Sequence, residues 1–142
     1  MDTAKQPNSL GSLLAFSAAY CLASLVHFVH NAEYLAQYPN LPAWLSRSKV
    51  YAAWMAITGV GALGLLVARS RYAAVGFVLV AVYAALGFDG LGHYWLAPMS
   101  SHTLAMNLTI WSEVLAASAL LFVTLQRLFR AGQHVGSGCA GA

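Results

Sequence analysis

The sequence predicts an all-α integral membrane protein, a four-helix bundle running up-down-up-down with both termini cytoplasmic. Three observations predict it. Of the 142 residues, 60% are hydrophobic and 8% are charged, against roughly 25% charged in average soluble domains. The mean hydropathy is +0.66, and the apolar residues gather into four runs of about twenty, the length that crosses a bilayer as a helix. None of these runs carries the polar outer face that a soluble bundle needs.

The elements follow in order. Residues 1–9 are polar, contain Pro7 and are expected to form a disordered lead. The single domain is expected over 10–130, with helices at about 10–37, 49–68, 72–95 and 102–129. In the first run Ala15, Ala19 and Ala23 recur every four residues, a flat face suited to close helix packing. Tyr38-Pro39-Asn40-Leu41-Pro42 ends that helix, because two prolines and an asparagine do not continue it. Trp44, Tyr51 and Trp54 read as an interfacial aromatic belt. Gly59, Gly61 and Gly64 mark close contacts in the second run, and Arg69-Ser70-Arg71 leaves room only for a tight turn. The third run loosens where Gly87, Gly90 and Gly92 bracket Asp89. Ala97 to Ser101 is the next connection, with Ser101 as the expected N-cap of the fourth helix. The tail, 131–142, is expected to be flexible.

Charge sets the expected orientation. Lys5, Arg69, Arg71, Arg127 and Arg130 share one side of a four-span chain, and Arg47 and Lys49 hold the other. The positive-inside rule then places both termini in the cytoplasm, in a bacterial inner membrane. The pI near 9.1 therefore reports membrane orientation. No basic stripe interleaved with aromatics points to nucleic acid. Cys21 and Cys139 stand too far apart in context for a disulfide or a zinc motif.

The same topology brings the polar residues to one leaflet. His27, His30, Asn31, Glu33 and Tyr34 close the first helix, Asp89 and His93 close the third, and His102 and Asn107 open the fourth. At about 100° per residue, His27, His30 and Tyr34 share an arc of roughly 60°. Asp89 and His93, at i and i+4, are neighbours on one face. His102, Met106, Thr109 and Glu113 share a face, with Asn107 on another side. Glu113 lies ten residues into its run, about 15 Å deep by helical rise. A carboxylate there costs at least ~2.5 kcal/mol to insert and faces the bundle interior, paired or protonated.

Two chemistries suit this set. One is acid–base catalysis on a small lipophilic substrate, with His30, Glu33, Asp89, His93 and Glu113 catalytic. His27, Asn31, Tyr34, His102, Met106, Asn107 and Thr109 would then line the pocket. The other is a divalent metal held by His30, Glu33, Asp89 and His93, since zinc with three protein ligands and an open position fits the count. A haem between His27 or His30 and His93 or His102 is the electron-carrier alternative. A proton-coupled transporter relaying through Asp89 and Glu113, and an accessory subunit of a membrane complex, complete the set. A homo-oligomer is a candidate state in each case.

His30-Asn31-Ala32-Glu33, then Leu41-Pro42-Ala43-Trp44 and Val50-Tyr51-Ala52, resembles the small bacterial membrane-protein family named for its HXXEE motif. The second Glu of that motif is Tyr34 here. The resemblance covers the first half of the chain, with Gly92-His93 as a later echo, and implies several spans but no activity. In layout alone the chain is similar to the four-helix sterol-isomerase and emopamil-binding proteins, which move protons on sterol-like substrates.

Overall fold

Buried positions on the first helix recur at three- and four-residue spacing: Leu13, Ser17, Tyr20, Ser24, His27 and Asn31. That is one helical stripe, and it is the polar-bearing one. In the computed structural model, which describes residues 9–139, this stripe belongs to α1, Ser9–Glu33. Ala15 and Ala19 lie on the outer face instead. The reason is that hydrocarbon tolerates alanine, whereas serine, histidine and asparagine have to turn inward. The expected lead, 1–9, lies outside the described residues except for Ser9, which opens α1.

After α1 a 3-10 turn, Leu35–Gln37, leads into the connection. There Asn40 adopts φ 57°, a left-handed conformation that asparagine tolerates. Its Nδ2 donates to the Leu96 carbonyl at 2.8 Å, tying this connection to the far side of the fold. Helix α2, Arg47–Val67, starts at Ser46, whose hydroxyl accepts from the Lys49 N–H. A turn at 68–72 reverses the chain into α3, Ala73–Leu86. Gly76 packs so tightly here that a Cβ on it would collide with the backbone of Ala68. Gly61 and Gly64 let α2 and α3 touch, since added Cβ atoms would come within 2.5 Å of the Tyr83 ring and 2.9 Å of Val80. Gly59 is not such a contact and faces open space.

The third span breaks at its end. Asp89–Gly92 forms a 3-10 turn, followed by one helical turn, α4, His93–Leu96, and a further 3-10 turn at Met99–Ser101. Helix α5, Leu104–Cys139, follows. It is capped by Thr103, not Ser101: the Thr103 hydroxyl accepts from the Met106 N–H at 3.3 Å. Ser101 is spent in the preceding 3-10 turn. The expected flexible tail is helical from Ala131 to Cys139, because no proline interrupts a helix that gains one hydrogen bond per added residue. The rest of the tail, 140–142, lies outside the described residues.

Helix α1 packs on α2 and α5, and α3 packs on α2 and α5. Among the described residues, four helices are long and apolar enough to cross a membrane: Gly11–Glu33, Arg47–Val67, Ala73–Leu96 and Leu104–Arg130. This is the build of a multi-pass membrane protein. One end of the core is apolar, with Leu13, Val80, Ala84, Ala117 and Leu120 buried around Tyr20 and Tyr83. The other end is polar.

Candidate functional site

The polar end is assembled from three segments. The inner stripe of α1 supplies Ser24, His27 and Asn31. The broken end of the third span supplies Asp89, Gly90 and His93, and α5 with the residues before it supplies His102, Thr109 and Glu113. His27, His93, His102 and Glu113 are all more than nine-tenths buried, and Glu113 is 0% exposed. The imidazoles form a file: His27 and His93 ring centres lie 5.6 Å apart, and His93 and His102 lie 6.1 Å apart.

Donor and acceptor roles assign the protons. The Thr109 hydroxyl donates its one proton to the Met106 carbonyl at 2.9 Å. Toward His27 Nδ1, at 3.4 Å, it can therefore only accept. The proton of neutral His27 sits on Nδ1, and its Nε2 lone pair faces Glu113 Oε2 at 3.7 Å. That gap exceeds a hydrogen bond. Asn31 Nδ2 donates to His93 Nε2 at 3.3 Å, placing the His93 proton on Nδ1. The Pro98 carbonyl accepts from His102 Nδ1 at 3.1 Å, so His102 Nε2 is bare. Ser24 is the polar neighbour of Glu113 and of the Tyr20 hydroxyl, and among the described residues Asn31 Oδ1, His93 Nδ1 and His102 Nε2 have no hydrogen-bond partner.

Gly90 stands over the His27–Glu113 gap. A Cβ there would lie 3.4 Å from Glu113 Oε2 and 3.7 Å from His27 Nε2, so the missing side chain leaves room for no more than a methyl group beside both atoms. A cavity of about 180 Å³ adjoins His27, lined also by Asn31, Asp89, Gly90 and His93 with apolar walls from Phe28 and Val50, and Glu113 lies outside this lining. Lys49 stands at its rim, its ammonium donating to the Trp44 carbonyl at 2.9 Å. Asp89 is exposed and also lines the cavity.

Other sequence candidates lie elsewhere. Glu33 is on the outside, gripped by Arg47 and by the Tyr51 hydroxyl at 2.7 Å. Residue Glu33 falls two helical positions beyond Asn31, about 200° round the helix from the buried stripe. His30 Nδ1 bonds the Tyr38 hydroxyl at 2.9 Å, and the exposed Tyr34 stacks on the His30 ring. The HXXEE-like stretch thus clasps α1 to the following connection and to α2 through His30 and Glu33. The proposed metal set of His30, Glu33, Asp89 and His93 is not gathered. Among the described residues no three His, Cys, Asp or Glu side chains form a metal-holding group.

Met106 is buried packing. Asn107 accepts from the Tyr94 hydroxyl at 2.8 Å and donates to the Met99 and His102 carbonyls, bracing the connection before α5. Three contributors were not singled out from the sequence: Ser24, Gly90 and Tyr38. Ser24 was accessible in principle, since it lies three residues before His27 on the same stripe. Tyr38 was not, because it lies beyond the helix where no periodicity applies. Burial pushes its phenol up to about 12, so it is protonated at neutral pH and stacks beside His93 at 4.8 Å. Comparison of the chain with protein-family models, curated proteins and solved structures returns no match.

Proposed function

We propose that this protein is a membrane isomerase that moves a proton within a small lipophilic substrate, with His27 and Glu113 as the base and the acid. The observation that carries the reading is the buried His27 Nε2–Glu113 Oε2 pair, 3.7 Å apart, with Gly90 beside both atoms and a cavity lined by His27 and Gly90 next to it. Glu113 has no cation within hydrogen-bond distance among the described residues, so it is held as the neutral acid or is compensated by a protonated His27. Either way the pair carries one proton.

The chemistry then balances. His27 Nε2 takes a proton from a carbon next to a double bond or carbonyl. Glu113 delivers its proton to another carbon, and the double bond shifts. The imidazolium returns its proton to the carboxylate, which restores the pair. Thr109 holds the base in the reactive tautomer, and Asn31 positions His93 at the cavity wall. The walls of Phe28, Leu45, Val50 and Ala53 suit an apolar substrate body.

The reading places the chain in a bacterial inner membrane as an up-down-up-down bundle with cytoplasmic termini and the site in the outer leaflet. A one-sided site is favoured over a transmembrane relay by the apolar layer of Leu13, Val80, Ala84, Ala117 and Leu120 beyond Glu113. The test uses a β,γ-unsaturated ketone as probe in vesicles containing the protein. Its conversion to the conjugated isomer, with deuterium taken up from heavy water, should be catalysed by the natural protein and lost in Glu113→Gln and His27→Gln. Equal rates with and without the two side chains would refute the assignment.

A further inference from the structure

Glu113 gains no hydrogen bond from His27, because 3.7 Å is too far. A fully buried neutral carboxyl still has one O–H to place, and bilayer depth offers it no water. Its polar neighbour is Ser24, 0% exposed, which stands on the inner stripe of α1 three residues before His27. The same Ser24 hydroxyl neighbours the Tyr20 hydroxyl, four residues earlier on that stripe and also 0% exposed. Carboxyl, serine and phenol therefore form a line from the polar end of the core to the apolar end, where Tyr20 packs.

Two features hold the line together. A serine inside a helix ordinarily donates to the carbonyl one turn back, and on α5 Ser112, Ser118 and Thr124 do so. Ser24 makes no such bond to the α1 backbone, which leaves its proton and lone pairs for the carboxyl and the phenol. Tyr20 is placed by Gly87, where a Cβ would fall 2.6 Å from the Tyr20 hydroxyl and 2.7 Å from Ala117 Cβ. Ala117 lies one turn beyond Glu113 on α5, so the phenol reaches α5 next to the turn that carries the carboxyl. The Tyr83 ring braces Tyr20 at 4.5 Å. The Tyr83 hydroxyl is taken up by Thr58 and Cys21 and does not compete for Ser24.

We infer that Ser24 is the positioning residue for the acid Glu113, with Tyr20 as the donor behind it. A serine hydroxyl has one proton and two lone pairs. In the resting pair it accepts from the Glu113 O–H, which fixes the carboxyl in one rotation until substrate arrives. Once Glu113 has given its proton to the substrate, the Ser24 hydroxyl turns and donates to the carboxylate, while Tyr20 donates to Ser24 Oγ. No proton leaves Ser24 or Tyr20: both hydroxyls turn back when His27 returns its proton to Glu113. Ser24 is absent from the cavity lining, so it acts through Glu113 and not on the substrate. Its effect on rate rests on the isomerase reading, whereas its hydrogen bond to Glu113 does not.

Infrared spectroscopy of the full chain in maltoside detergent, which has no carbonyl of its own, tests the contact directly. Neutral Glu113 gives a carboxyl C=O stretch above the amide band, identified by its disappearance in Glu113→Gln. Ser24→Ala removes the partner and should move that band to higher wavenumber. Tyr20→Phe, which keeps the ring packing, should move it less in the same direction. Ser118→Ala deletes a hydroxyl that bonds the Val114 carbonyl and should leave the band in place. In vesicles, Ser24→Ala should lower kcat for the ketone probe about tenfold, the worth of one hydrogen bond, with KM unchanged. A band that stays put in Ser24→Ala or Tyr20→Phe overturns the inference, as does the lack of any band that Glu113→Gln removes. Ketone left unconverted by the natural protein overturns the isomerase reading instead, while the band shift still establishes the Ser24 contact.

Discussion

Gly90→Ala isolates the His27–Glu113 pair with the smallest available change. Gly90 lies in the 3-10 turn Asp89–Gly92, and no glycine among the described residues has positive φ. An alanine therefore fits the backbone. Its methyl would sit 3.4 Å from Glu113 Oε2, 3.7 Å from His27 Nε2 and 3.7 Å from Ile110 Cγ2, all ordinary contact distances. Folding should gain about 0.4–1 kcal/mol, because alanine has fewer unfolded conformations to lose than glycine. In Tm that is a rise of about 1–4 °C for a chain of this size. Function should move the other way. The methyl takes up the space that glycine leaves beside both reacting atoms. A displacement of the substrate by about 1 Å can cost on the order of a hundredfold in rate, and a methyl is larger than that. Deuterium uptake into the ketone probe should therefore fall by about a hundredfold or more while the melting curve holds or rises. Full activity at an unchanged Tm would refute the reasoning, because the gap at Gly90 would then have no part in the chemistry.

Glu113→Leu should abolish probe isomerisation yet raise Tm, because it replaces a fully buried carboxyl, with no cation within hydrogen-bond distance among the described residues, by an apolar group. The gain should be on the order of 1–3 kcal/mol, and thermal melting in detergent measures it. Gly61→Ala and Gly59→Ala should separate cleanly. The first drives a Cβ to 2.5 Å from the Tyr83 ring while the second meets open space, so the first should lose roughly 1–3 kcal/mol and the second should lose nothing. Glu33→Gln should leave isomerisation unchanged and cost less than about 1 kcal/mol, since its partner Arg47 is 64% exposed and surface ion pairs contribute little. A large loss of activity in that variant would return Glu33 to the chemistry.

Much of the fold could be read from the chain. Four apolar runs, the tight turn at Arg69–Arg71 and the loosening around Asp89 follow from local composition and backbone chemistry, which act over a few residues. The interior direction of Glu113 could be read as well, because a lone carboxylate at that depth has nowhere else to turn. The choice of partner could not. His27 and His30 are three residues apart and look equally placed on a helical wheel, yet His27 faces Glu113 and His30 faces Tyr38. The rotation of α1 about its own axis decides between them, and that rotation is set by packing along the whole stripe from Leu13 to Asn31. Glu33 looked catalytic from its neighbours in sequence. Arg47 and Tyr51, fourteen and eighteen residues on, hold it outside.

The sequence by itself determined that the chain forms helices long and apolar enough to cross a membrane and that several ionisable groups must find company inside. Hydropathy and the cost of burying charge act on each segment separately, so they are legible without coordinates. Only the tertiary structure decided which groups meet. It set His27 against Glu113 with Gly90 beside both, and it turned Glu33 outward against Arg47 and Tyr51. Those outcomes depend on the rotation and offset of one helix against another, which distant contacts fix and no local pattern records.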